Sequence, residues 1–498
     1  MRDPKKGLSR RSFIKLAAAG TGTVAVAGGL GVKDAFAVGV PKKWDKEADL
    51  VIVGAGGGGL AAAVEASSAG ASVIVLEKMP FAGGSSAICG GALCFAGTDV
   101  QEEKDIKDSN ELLSKDFMSV GGNVNIPELV QAYAENQLDT YQWLKQLGVE
   151  FKGLGIASGM SVPRAHYVTP GDLIKILKDK AEANGCEIIT RVAAERLIVD
   201  EKTGRIRGVL ADSRGKKLSF GAGKAVVLAS GGFSLNKELL AKFVPAMTKA
   251  KAIVGKGSDG DGLKMAWAYG ADIQDMPYIK ATFGFSLDAR GIADSFSLLM
   301  YKGGIMVNKA GKRFVDESKS YKLLGDEALL QPDAMAFQIY DEPIREEAKK
   351  DALANTTPME KRGLIHSAST IAELAQKINI PAEVLEATVK EYNENVDKGA
   401  DPNFGRKTLV AGYGKPRKIQ QPPFYAFPST AAILGTYGGI IVNGKAQVVD
   451  VFKNTIPNLY AAGEIMGGIH GAAYMTGTAF GKALIFGRIA AKNALGKA

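Results

Sequence analysis

Asp49-Leu50-Val51-Ile52-Val53-Gly54-Ala55-Gly56-Gly57-Gly58-Gly59-Leu60-Ala61-Ala62-Ala63-Val64-Glu65-Ala66 decides the fold. An apolar run bounded by charge has the pattern of a fully buried parallel strand, and the alanine-rich run after the glycines is built from strong helix formers. Gly54 allows the tight turn, Gly56 lets backbone approach a pyrophosphate, and Gly59 lets the helix pack on the strand. The helix N-terminus then offers unpaired N–H groups to the anion. A lone G-x-G-x-x-G also fits a turn with no ligand. Here, however, a second strand, Ser72-Val73-Ile74-Val75-Leu76, ends in Glu77, placed to take the ribose hydroxyls of an adenine dinucleotide.

Three further segments argue for FAD rather than NAD. Gly83-Gly84-Ser85-Ser86-Ala87 follows Glu77 closely, where flavoproteins contact the pyrophosphate and the flavin ring. Val226-Val227-Leu228-Ala229-Ser230-Gly231-Gly232-Phe233 reads as another buried strand ending in a glycine turn. Asn458-Leu459-Tyr460-Ala461-Ala462-Gly463-Glu464 repeats that logic near the C-terminus and brings the Glu464 carboxylate to where a ribityl chain binds. The fold class is therefore α/β, a Rossmann-like dinucleotide domain assembled from both ends of the chain.

The chain has 498 residues, 46% of them hydrophobic, which suits two packed domains and excludes both disorder and a polytopic membrane protein. Its first residues carry Ser9-Arg10-Arg11-Ser12-Phe13-Ile14-Lys15, a mild apolar run from Leu16 to Val32, and Ala35-Phe36-Ala37. This is the form of a twin-arginine export signal over residues 1–37, with a small-x-small cleavage site. Five glycines make the run a poor membrane span, so cleavage is favoured over anchoring. Without residues 1–37 the net charge falls from +9 to about +4, so the basic character belongs largely to the signal and gives no reason to expect nucleic acid. Cys89, Cys94 and Cys186 are too few and wrongly spaced for a disulfide framework, and no metal site is expected. With no Cys-x-x-Cys-His for a haem, respiratory electrons must come from a separate carrier such as a quinone or cytochrome.

From about Trp44 onward the chain resembles the flavoprotein family of soluble fumarate reductases, succinate dehydrogenase flavoprotein subunits and 3-ketosteroid dehydrogenases. The resemblance implies a discontinuous FAD domain, 45–275 and 433–498, interrupted by an α+β capping domain, 276–432, with the active site where the two meet. In the cap, Thr370 to Lys398 reads as two helices broken at Ile380-Pro381. The resemblance adds Lys78, Val192 and Asp261 to the expected FAD contacts. Covalent members use a histidine where this chain has Ser85, Ser86 and Ala87, which implies non-covalent FAD.

Fumarate reductases hold two carboxylates with arginine and histidine, the bidentate electrostatics a dianion needs. This chain departs from that pattern. Thr282 stands at one histidine position, Leu434-Gly435-Thr436-Tyr437-Gly438-Gly439 lacks the second, and the two arginine positions fall on Tyr321 and Tyr474. The 3-ketosteroid dehydrogenase branch resembles it more closely, through Arg-Phe-Val-x-Glu-x-x-x-Tyr ending at Tyr321, Leu-Gly-Thr-x-Gly-Gly, and a tyrosine before a glycine turn. That branch implies Tyr321 as the proton-transfer group and Tyr474, with the N–H of Gly477 or Thr478, as the carbonyl-oxygen site. Polarising a carbonyl acidifies the adjacent C–H, a base removes that proton, and hydride leaves the next carbon; the reverse reduces an enone. The runner-up is an exported respiratory reductase of an unsaturated carboxylate, with Arg164 or Lys280 as the binding cation. A non-catalytic FAD-binding redox subunit is the reading from another class. Of the three histidines, His470 lies beside the flavin segment, His166 is placed to line the substrate cleft, and His366 is expected to face solvent on the cap.

Overall fold

In the computed structural model, residues 38–289, 291, 294–351, 353–409 and 414–497 are described. The export segment, 1–37, lies outside them. The elements that build the site are, in chain order, β1 (Lys46–Val53), α1 (Gly57–Ser68), β2 (Val73–Glu77), β3 (Glu187–Thr190), β4 (Lys216–Leu228), α2 (Asp261–Ala268), β5 (Ile279–Ser286), α3 (Tyr321–Leu329), β6 (Met335–Asp341), β7 (Phe424–Thr436), β8 (Thr455–Ala461) and α4 (Thr478–Ala494).

A nine-stranded sheet carries the dinucleotide motif. Its parallel part runs β8, β4, β1, β2, β3, with Val226 paired to both Leu459 and Val51, and Leu50 to Val73. Strands from the two chain ends thus sit side by side, as the glycine-ended repeats imply. Leu50, Val51 and Ile52 are wholly buried, each contributing about 1.5–3 kcal/mol by leaving water. On this sheet α1 and α4 pack backbone to backbone, because a Cβ on Gly487 would lie 2.3 Å from the Gly58 carbonyl oxygen.

A second, six-stranded sheet is centred on β7, which pairs antiparallel with β5 and β6. Its own apolar core includes Ile305, Phe337, Ile339, Leu385 and Phe427. Helices Ile371–Lys377 and Ala382–Lys398 flank the Ile380-Pro381 break, as the sequence pattern requires. Strand β7 runs unbroken through residue 433, where the sequence places the end of the cap, because its ladder to β5 extends to Thr436. No described helix is long and apolar enough to cross a membrane.

Candidate active site

A cleft of about 620 Å³ runs from the glycine turn after β1 to a cluster of tyrosines against β5. At the turn, the Gly54 N–H donates to the Leu76 carbonyl at 2.7 Å, and φ at Gly54 is +106°. A Cβ on Gly59 would sit 1.9 Å from the Gly54 carbonyl oxygen, so this glycine permits the contact of helix with strand and does not line the cleft. The Gly83 N–H donates to the Ala55 carbonyl at 2.8 Å, pinning the serine loop to the turn.

The expected cofactor residues Gly54, Gly56, Glu77, Lys78, Gly84, Ser85, Ser86, Val192, Gly231, Asp261 and Glu464 all line this cleft. The Glu77 carboxylate accepts from the Ala55 N–H at 2.9 Å and the Met79 N–H at 2.8 Å, which fixes it at the end of β2. Ser86 Oγ accepts from the Gly57 N–H at 3.1 Å, and Ser85 Oγ from the Gly255 N–H at 2.9 Å. Lys78 is held by Asp259 and, at 2.9 Å, by Asp261. Burial would raise the Asp261 carboxyl, but the Lys78 ammonium offsets that and leaves it below its ordinary value.

Glu464 follows β8 and accepts from the Thr436 N–H at 2.9 Å. Gly232 makes room for it, since a Cβ there would meet a Glu464 oxygen at 2.4 Å. Burial pushes the Glu464 carboxyl upward. In the same walls Ser230 Oγ and His470 Nε2 are buried without a partner. A lengthwise cleft with backbone-accessible glycines, polar atoms awaiting partners and a carboxylate at each of two strand ends fits FAD.

At the far end stand Tyr321, the first residue of α3, and Tyr474, both half-buried. The Tyr474 hydroxyl oxygen accepts the Gly477 N–H at 2.8 Å. This differs from the expectation that the Gly477 or Thr478 N–H faces the substrate. Gly477 is left-handed, φ +87°, and turns its N–H back to Tyr474, while the Thr478 N–H goes to the Met475 carbonyl at 3.2 Å. The remaining donor is the phenolic proton. Burial raises the Tyr474 phenol, with the Gly477 N–H opposing that rise.

Lys280 Nζ lies 3.8 Å from the centroid of the Tyr474 ring, a cation–π contact. No described carboxylate forms an ion pair with it, and burial lowers its affinity for the proton. Tyr437 stacks at 14° to Tyr474 with centroids 6.3 Å apart, and His470 meets that ring edge-on at 5.7 Å. Burial keeps His470 neutral, well below its ordinary value. Phe285, Phe296, Leu298 and Leu353 complete an apolar wall.

Among the described residues no arginine lines the cleft. Arg164 is wholly buried and bound to Asp108 and Asp116, so it is not available to a substrate. His166 does not line the cleft either. Alternation along the strand Ala165–Tyr167 turns it into the core and leaves Tyr167 on the cleft wall. His366 is half-buried because it pairs with Ala426 of β7. The sequence reading missed Lys482, 1% exposed on α4 and lining the cleft. A lysine inside Thr478-Ala479-Phe480-Gly481-Lys482-Ala483-Leu484-Ile485 was the available signal.

A family model described as "FAD binding domain" matches residues 49–479. A fumarate reductase (cytochrome) of Shewanella frigidimarina is 33% identical over 451 residues, covering 90% of this chain and 76% of the relative. The open conformation of a flavocytochrome c3 fumarate reductase superposes with a TM-score of 0.83 at 29% identity, over 100% of this chain and 82% of that one. The 3-ketosteroid-Δ4-(5α)-dehydrogenase of Rhodococcus jostii RHA1, solved with 4-androstene-3,17-dione, gives a TM-score of 0.70 at 29% identity, over 91% and 98%.

Proposed function

Because the chain belongs to the FAD-binding family of fumarate reductase and 3-ketosteroid dehydrogenase flavoproteins, we propose that Tyr321 and Tyr474 direct its chemistry to a carbon–carbon bond conjugated to a carbonyl. It is an FAD-dependent oxidoreductase acting on CH–CH or C=C bonds. FAD, when bound, supplies the two-electron hydride chemistry; the residues of this chain bind the carbonyl compound, exclude water and move the proton. Residues 45–275 and 433–498 hold the cofactor, without a covalent link, and 276–432 cap it.

The observation that carries this reading is the Gly477 N–H donated to the Tyr474 oxygen at 2.8 Å. A phenol that accepts one such bond becomes a stronger donor through its own proton. Tyr474 donates that proton to the substrate carbonyl oxygen, drawing charge toward it and acidifying the neighbouring C–H. Tyr321, on the same cleft, takes the proton in desaturation and gives it back in reduction. The apolar wall strengthens both interactions by keeping the local dielectric low. Tyr321 and Tyr474, standing where the resemblance puts the two dicarboxylate-binding arginines, argue against a dicarboxylate.

Lys280 favours a second reading, an unsaturated monocarboxylate held by its ammonium, which forms no ion pair among the described residues. Anaerobically reduced protein mixed with panels of enones and unsaturated carboxylates distinguishes the two by recovery of the flavin absorption band. Reoxidation by enones alone is expected; reoxidation by carboxylates alone overturns the first reading. No turnover on either panel would leave the non-catalytic redox subunit.

Export by the twin-arginine route would put the protein in the periplasm or on the outer face of the cytoplasmic membrane, beside a separate electron carrier. Changing Arg10 and Arg11 to lysine should retain the precursor in the cytoplasm, and normal export of that variant would refute the assignment.

A further inference from the structure

The C-terminal helix α4 carries Lys482 in its second turn, with its side chain 1% exposed. Its ammonium donates to the Met466 carbonyl oxygen at 3.1 Å and has no other hydrogen-bond partner among the described residues. No described carboxylate lies within ion-pair distance, although Glu464 and Asp275 are near enough to favour its charged form. A buried ammonium with one neutral partner is costly unless a negative charge reaches it. Lys482 lines the cleft together with Glu464, Thr436 and Ala479. His470, whose ring meets Tyr474 edge-on at 5.7 Å, feels the Lys482 charge, as does Glu464, so the ammonium stands near both the tyrosine end and the strand-end carboxylate.

We propose that Lys482 is the counter-charge of the reduced flavin: its ammonium faces the cofactor's ring and stabilises the negative charge that the ring carries after taking two electrons. The balance is explicit. Reduction of FAD to its singly charged reduced form takes two electrons and one proton. Where Lys482 is neutral before reduction, the new charge draws a second proton onto the amine. The inference rests on FAD binding alone and holds whichever substrate the tyrosines take.

Burial brings Lys482 down to about 8, against the pull of Glu464 and Asp275. The charged groups facing it are Glu464, from the turn after β8, and Asp275, ahead of β5; His470 stands nearby as a neutral ring. Helix α1 directs Glu65, and helix Pro127–Gln146 directs Asp139, to Arg488; of that helix's other carboxylates, Glu128 takes the Gly444 N–H and Glu135 takes Gln131. Below its titration Lys482 is already charged and reduction takes up one proton; above it, two.

The test is a dye-equilibrated redox titration of the FAD-loaded full chain across pH, for wild type and Lys482→Met. Wild type should show proton uptake per two electrons rising from one toward two as pH passes about 8. Lys482→Met should show no such step and should bind reduced FAD about tenfold more weakly relative to oxidised FAD, a midpoint about 30 mV lower. A variant with the wild-type ratio and the wild-type pH step overturns the proposal. Should Lys482→Met fail to hold FAD, the wild-type titration decides alone: a constant proton stoichiometry within about one unit of that pH overturns it.

Discussion

The main-chain N–H of Gly477 donates to the hydroxyl oxygen of Tyr474 at 2.8 Å, so a left-handed glycine fixes one lone pair of the phenol at the tyrosine end of the cleft. Tyr474→Phe removes the phenolic donor and leaves that N–H without its partner. Turnover should fall about 10²–10³-fold, the usual cost of losing one carbonyl-polarising donor. Steady-state rates, with the flavin spectrum as the control for folding, check it.

Tyr321→Phe keeps the ring that packs at the start of α3 and removes the hydroxyl with its exchangeable proton. Turnover should drop about 10²–10⁴-fold with FAD content and substrate binding unchanged. Retained solvent-deuterium incorporation into product at the wild-type rate would exclude Tyr321 as the proton carrier.

Lys280→Met should separate the two substrate readings. For an unsaturated carboxylate, losing the ammonium should raise KM roughly tenfold to a hundredfold, about 1.5–3 kcal/mol for a charged hydrogen bond. For an uncharged enone KM should stay near the wild-type value. Parallel kinetics on one substrate of each kind measure the difference.

Gly59→Ala tests the cofactor turn itself. The added Cβ would meet the Gly54 carbonyl oxygen at 1.9 Å, and the backbone of α1 must move away from β1 to admit it. The expected outcome is a loss of at least about 1–3 kcal/mol of stability together with poor FAD retention. Thermal melting and the ratio of flavin to protein absorbance report both.

His166 sets a pH limit. Its Nδ1 faces the Arg164 carbonyl at 3.0 Å and must donate there, so Nε2, 2.9 Å from the Thr98 hydroxyl, accepts in the neutral ring. Burial lowers it to about 4. A folded-state value below the unfolded one of about 6.5 means the unfolded chain binds more protons between them. This contribution to stability is therefore complete above about pH 6.5 and lost as pH falls toward 4. Denaturant unfolding across that range should show the decline, and His166→Gln should flatten it.

The dinucleotide half was legible because its signals are local. Four apolar residues, glycines at fixed offsets and a carboxylate at a strand end each have one structural use, and Glu77 and Glu464 stand at the strand ends where that logic puts them. Side-chain commitments over long range were not legible. Arg164 looked free in sequence and is occupied by Asp108 and Asp116, which lie 56 and 48 residues earlier in the chain. His166 and Tyr167 are adjacent, and only the pairing of Ala165–Tyr167 with Ala92–Cys94 decides which one meets the cleft. Lys482 was hidden by the general habit of lysines to lie on helix surfaces.

Strand β7 begins among the cap's own strands at Phe424 and ends at Thr436, whose N–H holds Glu464 against the cofactor cleft. The second sheet and the cofactor cleft are thus tied together by one continuous strand. Any displacement of β7 would therefore carry Thr436, and with it the N–H that Glu464 accepts. Anyone replacing the second sheet with another would have to carry β7 across whole to keep the Thr436–Glu464 bond at the cleft.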